Sequence, residues 1–196
     1  MKKGFKKFTA MLLAGLLACC CLTACGEDVV KVSADDPMSP SEIQNALKKA
    51  SDYTVTVKIG DDYTWTLKKD DSVAWYHNED NLGDGTYYDA AAQKTYKPSN
   101  SGYTEYDVVD GDTAAGFAYS AVQNQLNDII DALFNDSNFV ATNDGNYVAN
   151  DAGLAALDCD SAKITISGMV YTIKIDWRII TIDFSDVTLT LPTVNE

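Results

Sequence analysis

Two neighbouring stretches alternate apolar and polar residues without a break. Tyr53, Val55, Val57 and Ile59 are interleaved with Thr54, Thr56 and Lys58; after a turn at Gly60-Asp61-Asp62, Tyr63, Trp65 and Leu67 are interleaved with Thr64, Thr66 and Lys68. A period of two sends every second side chain to the same side of an extended chain, so the segment cannot be an amphipathic helix. It reads as a β-hairpin with one face for a core and one for solvent. The texture recurs in Val73 to His77, Thr86 to Tyr88, Thr95 to Lys97 and Tyr103 to Val108. It returns in Phe139 to Thr142, Tyr147-Val148, Ala162 to Ser167, Met169 to Asp176, Trp177 to Phe184 and Val187 to Leu191. Short strands joined by local turns, such as Asn143-Asp144-Gly145, make an antiparallel meander.

Helical spacing interrupts this pattern in two main places. Ser39-Pro40-Ser41-Glu42 has the form of a capping box with proline at the first helical position, and Met38 and Ile43 are placed for a hydrophobic staple. Ile43, Ala46, Leu47 and Ala50 continue as an apolar stripe. Asp112 is an N-cap for a longer helix expected to run to about Phe134, with Ala118, Val122, Leu126, Ile129, Ile130 and Leu133 on its apolar side. Asp151 to Leu157 has room for one or two helical turns. Two amphipathic helices cannot satisfy each other and also cover so much apolar sheet. The expected fold is therefore α+β: one large curved antiparallel sheet, half-barrel-like, with both main helices on its concave face.

The N-terminus carries an address. Lys2, Lys3, Lys6 and Lys7 precede an apolar run from Phe8 to Leu22, which ends in Leu22-Thr23-Ala24-Cys25. The run is short for a membrane span, which needs about 20 apolar residues, and matches a signal-peptide core. The arrangement resembles the signal peptide and lipobox of bacterial lipoproteins. That resemblance implies cleavage before Cys25, diacylglycerol on its sulfur, and anchoring to the outer face of the bacterial cell membrane, or to an outer membrane if the host has one. An uncleaved N-terminal anchor is the alternative. Leu16-Leu17-Ala18-Cys19 is a weaker second lipobox. The chain then divides into a signal peptide (1–24), a lipidated cysteine with a flexible acidic tether (25–38) and a single domain (39–196).

The element order and strand texture from 39 to 192 also resemble half-barrel lipoproteins related to the outer-membrane lipoprotein carrier and to mycobacterial lipid-binding surface lipoproteins. The segments that carry the likeness are the capped helix, Tyr53 to Ile59, Tyr63 to Lys68, Thr86 to Asp89, Lys94 to Lys97, the central helix and Ile180 to Val187 before Leu191-Pro192. The resemblance implies an apolar cavity for acyl chains between sheet and helices, and no catalytic residues. One departure is that Arg178 is the single arginine, so a basic latch for a headgroup is not evident.

Charge and chemistry narrow the choice further. The chain carries −14, with 15 basic and 29 acidic residues; loss of residues 1–24 removes four lysines and no acids, leaving −18. Such a surface repels nucleic acid and anionic headgroups. His77 is the only histidine, beside Asn78, Glu79 and Asp80, and reads as a surface residue rather than a catalytic one. No nucleophile elbow, phosphate loop or zinc motif occurs. Leu82 and Val140 stand where calcium loops of the EF-hand type require oxygen ligands. No metal, cofactor or enzymatic activity is therefore expected. Cys159, left without a partner once Cys25 is acylated, reads as a small buried hydrophobe.

The remaining lead is aromatic. Tyr53, Trp65 and Trp75, with the tyrosines at 63, 87, 88, 96, 103 and 106, crowd the first half of the sheet. Core packing accounts for most of them. The residues expected to line an apolar binding site are Tyr53, Val55, Trp65, Trp75, Val122, Leu126 and Ile129. The leading expectation is a membrane-anchored protein that binds or carries a lipid or other apolar ligand. The alternative is an envelope protein–protein interaction module with a filled core; an enzyme comes last.

Overall fold

A computed structural model describes residues 30–61, 63–79, 85–108, 119, 122–124 and 126–194. The expected α+β class holds: the fold is one large, open, curved antiparallel sheet with a few short helices on it. The strands are β1 (Asp52–Ile59), β2 (Tyr63–Asp70), β3 (Val73–Asn78), β4 (Thr86–Asp89), β5 (Lys94–Ser99), β6 (Gly102–Asp107), β7 (Phe139–Ala141), β8 (Tyr147–Ala149), β9 (Ala162–Ser167), β10 (Val170–Ile175) and β11 (Arg178–Asp183). Their order, β6-β5-β4-β3-β2-β1-β11-β10-β9-β8-β7, joins two meanders at the centre, where β1 pairs with β11 through Val55 opposite Ile182 and Val57 opposite Ile180.

This order decides where the core lies. β6 and β7 are the two edges, and of the segment that crosses between them the described residues lie on one face of the sheet. The crossing segment places Val122, Leu126, Ile129, Ile130, Leu133 and Phe134 in the core. The helix α1 (Pro40–Lys49) lies on the same face and buries Ile43, Ala46 and Leu47. Its start is set as the sequence suggests: the Ser39 amide donates to Glu42 Oε2 at 2.8 Å, and Met38 and Ile43 share one cluster. The two coverings touch where Gln44 Nε2 donates to the Tyr119 hydroxyl at 2.9 Å and the Lys48 ammonium sits over the Tyr119 ring.

The helix expected to run unbroken to Phe134 does not do so. Residues 122–124 are helical, the chain turns at 126–129, and a short helix α2 (Ile130–Leu133) follows. Asn124, Asn127 and Asp128 are weak helix formers that compete for backbone hydrogen bonds. The Leu126 and Ile129 amides donate three residues back, to Gln123 and Leu126, which keeps the apolar side chains facing inward through the break. Asp112 and Ala118 lie outside the described residues. The helix α3 (Asp151–Leu157) forms in two turns, with the Asn150 side chain accepting from the Gly153 amide at its start.

Two further expectations are corrected. The tether of 25–38 is shorter than read: Val30 and Val32 pack against the core, Ala34 lies near the Gly168 turn, and the Met38 amide donates to the Tyr171 hydroxyl at 3.0 Å. Residues 187–191 join no strand ladder. Both neighbours of β11 are already taken by β1 and β10, so the tail has no edge to extend. It crosses the outer face instead, where the Leu189 amide donates to Asp70 and Val194 bridges Tyr103 on the β6 edge. Val187, Leu189 and Leu191 are half-buried while Thr188 and Thr190 are exposed.

Candidate ligand-binding site

Register separates the aromatic residues that the sequence had grouped. On the covered face of the sheet, Val57 is opposite Trp65, Trp65 opposite Asn78, and Leu67 opposite Tyr76. Tyr53, Val55, Trp65, Val122, Leu126 and Ile129 all belong to one buried cluster. Trp75 does not join them. It is opposite Lys68 and Tyr87, and Tyr87 is opposite Tyr96, so these three aromatics share the outer face. Adjacent residues on a strand point to opposite sides, and one intervening residue decides the matter. There His77 stacks parallel to Trp75 at 5.6 Å, and Lys68 lies over the same ring. Tyr87 meets Tyr103 edge to face. His77 is thus a stacking partner on the outer surface, with no cluster of ligating groups around it among the described residues.

Within the covered face, two kinds of site emerge. Tyr53 is a structural residue: its hydroxyl donates to the Leu47 carbonyl at 3.0 Å, and burial pushes its phenol far above the ordinary range. Next to it, Lys69 is 4 % exposed, because the alternation that buries Trp65 and Leu67 carries it inward as well. Its ammonium donates to the Ala50 and Ser51 carbonyls at 2.5 and 2.7 Å, closing the C-terminal end of α1, where a cation also favours the helix dipole. Burial holds its pKa below the usual lysine value, against the opposing pull of Asp52, Asp71 and Asp70.

At the other end of β2 and β3 the chemistry differs. Trp65 is fully buried, yet no described residue accepts a hydrogen bond from its Nε1. Tyr76 leans on its ring at 5.9 Å. Asn78 Nδ2 donates to the Tyr63 hydroxyl at 3.1 Å, and Tyr63, Tyr76 and Asn78 are all half-buried. Burial, followed by the Tyr63 hydroxyl beside it, raises the Tyr76 phenol. An apolar interior that ends in a few convergent polar groups is the usual make-up of a small-molecule site. Tyr76 and Asn78 carried no sequence signal beyond their place in a strand, since only the β2–β3 register sets them beside Trp65.

The lipobox residues Leu22, Thr23, Ala24 and Cys25 lie outside the described residues. Cys159 is a free, half-buried thiol packed against the core, and burial, then Asp176, raises its pKa. No described helix is long and apolar enough to cross a membrane. No family model, curated protein or solved structure gives a significant match to this chain.

Proposed function

We propose that the chain is an exported lipoprotein, anchored to a membrane through acylated Cys25, which binds an apolar ligand bearing a hydrogen-bond acceptor at the Trp65 end of its core. The observation that carries the binding half is the buried, unpaired Trp65 Nε1 beside Tyr63, Tyr76 and Asn78. Leaving a buried donor unsatisfied costs about 1–3 kcal/mol, and an acceptor oxygen on a bound lipid would offset it. The anchoring half is supported by the basic, apolar and small-residue segments that end at Cys25.

Native mass spectrometry of the full chain purified from membranes tests both halves. Acyl mass on Cys25 and co-purifying lipid, reduced in Trp65→Phe, support the reading. Protein that carries no lipid and whose Trp65 exchanges no faster than a sealed core residue would sink the binding half. A second reading, an envelope interaction module, is favoured by Tyr106. It is 50 % exposed on the β6 edge, with Lys97 over its ring. Lipid-free protein that still crosslinks to one envelope protein through position 106 would favour that alternative.

A further inference from the structure

The outer face of the sheet carries a cross-strand row that neither the core nor the Trp65 site uses. In register across six adjacent strands it reads Val140, Val148, Lys163, Lys174, Ile179, Lys58. Lys58, Lys163 and Lys174 are exposed, and none makes an ion pair among the described residues. Lys163 and Lys174 are directly opposite each other, an arrangement of like charges that destabilises a sheet. Three of the eleven basic residues left after Cys25 thus stand together in a chain with 29 acids, and no acid occupies the row. The acids nearby sit at the strand ends. Asp160 precedes β9, Asp61 follows β1, and the Asp176 carboxylate is engaged by the backbone amides of Asp160 and Ser161.

Apolar groups complete the patch. Val140 is 56 % exposed and Val148 40 %, and Trp177, in the β10–β11 turn next to the row, is 57 % exposed with Arg178 over its ring. Lysines interleaved with exposed valines and a tryptophan suit a lipid headgroup layer, where the cations meet phosphates and the tryptophan sits at the interface. The net charge does not forbid this. At physiological salt a surface senses charges within about 8 Å, and the outer-face acids Asp52, Asp70 and Asp183 stand at the other end of their strands from the lysine row.

Chain length keeps the domain close to an anchored Cys25, while the lysine row selects the face. Val30 is already packed on the domain, and the chain from Cys25 to Val30 spans at most about 18 Å when fully extended. We infer that the outer face of β7–β11 and β1 is a docking surface for an anionic membrane, on which the sheet lies while the core stays free to hold its ligand. The inference takes its membrane address from the function proposed above.

Amine-reactive labelling read by mass spectrometry tests it, with the full chain on vesicles of phosphatidylcholine alone and on an equimolar mixture with phosphatidylglycerol. Labelling of Lys58, Lys163 and Lys174 should fall about fivefold on the charged vesicles, and recover in high salt, while Lys97 on the opposite face is unchanged. Equal labelling on both vesicles overturns the docking surface. Protection by dissolved polyphosphate with none from vesicles also overturns it, in favour of a polyanion site. The mass of Cys25 in the same samples tests the address separately: an acylated chain with freely labelled lysines fails the docking surface alone. A K58Q/K163Q/K174Q variant removes like-charge repulsion, so it should fold, and it should lose the salt-sensitive part of vesicle binding.

Discussion

Single residues show how far register, rather than residue type, sets chemical role. Tyr53 and Lys69 lie side by side on the covered face, with the Lys69 ammonium 5.6 Å from the Tyr53 ring centre. The phenol of Tyr53 is neutral in both folded and unfolded chains below about pH 10, so its contribution to stability is fully present there. Above that pH the unfolded chain ionises first, because burial holds the folded pKa far higher, and stability falls as pH rises. Tyr53→Phe should cost about 1 kcal/mol at neutral pH through the lost bond to Leu47, and should flatten the alkaline fall by up to about 1.4 kcal/mol per pH unit. Urea unfolding at a series of pH values from neutral to strongly alkaline checks both; parallel curves for the two proteins would refute the assignment. Lys69 was legible in principle, since it continues the inward positions of Trp65 and Leu67. A lysine is rarely buried unless paired, so composition argues for the solvent side. Only the two carbonyls at the end of α1 explain why it is inside.

At the scale of elements, boundaries followed local chemistry where that chemistry was self-contained. The start of α1 and the strands from β1 to β3 were readable because capping residues and alternation act within a few residues. The Asn143-Asp144-Gly145 hairpin was readable for the same reason. The central helix was not, because its apolar stripe runs through a stretch of weak helix formers and only packing reveals the break. Close approach between elements was equally hidden. Gly153 in α3 reads as a simple helix weakness, yet a methyl group there would stand 2.1 Å from the Asn138 carbonyl oxygen. Asn138 is buried and its side chain donates to the Ala132 carbonyl, so the 3-10 turn Asp136–Asn138 ties α2 to α3 and cannot easily yield. Gly153→Ala should therefore destabilise the protein by about 1–3 kcal/mol, although alanine is the better helix former. Chemical unfolding measures this, and an alanine variant as stable as the parent would mean that the two elements separate freely.

Across the whole molecule, the pairing of β1 with β11 makes one sheet of two meanders and leaves the C-terminal tail to strap the outer face. Removal of residues 186–196 should cost about 3 kcal/mol from the half-buried Val187, Leu189 and Leu191, and should speed amide exchange along β6, the edge that Val194 touches. Unchanged exchange at β6 would show that the strap contributes nothing there. The aromatic site divides along the same lines. Tyr53, Val55, Trp65, Val122, Leu126 and Ile129 were chosen from sequence and meet in one core, whereas Trp75 turns to the other face with Tyr87 and Tyr96. By itself the sequence determined the start of α1, the strands from β1 to β3 with most of their inward residues, and the pattern ending at Cys25, because these depend on period, capping and local composition. The tertiary structure alone decided that β1 joins the two meanders by pairing with β11, and in which register neighbouring strands meet. It therefore also decided that Trp65 meets Tyr76 and Asn78, that Lys69 closes α1, and that three lysines line up on the outer face. Those contacts join residues distant in sequence, and nothing local to any of them encodes the partner.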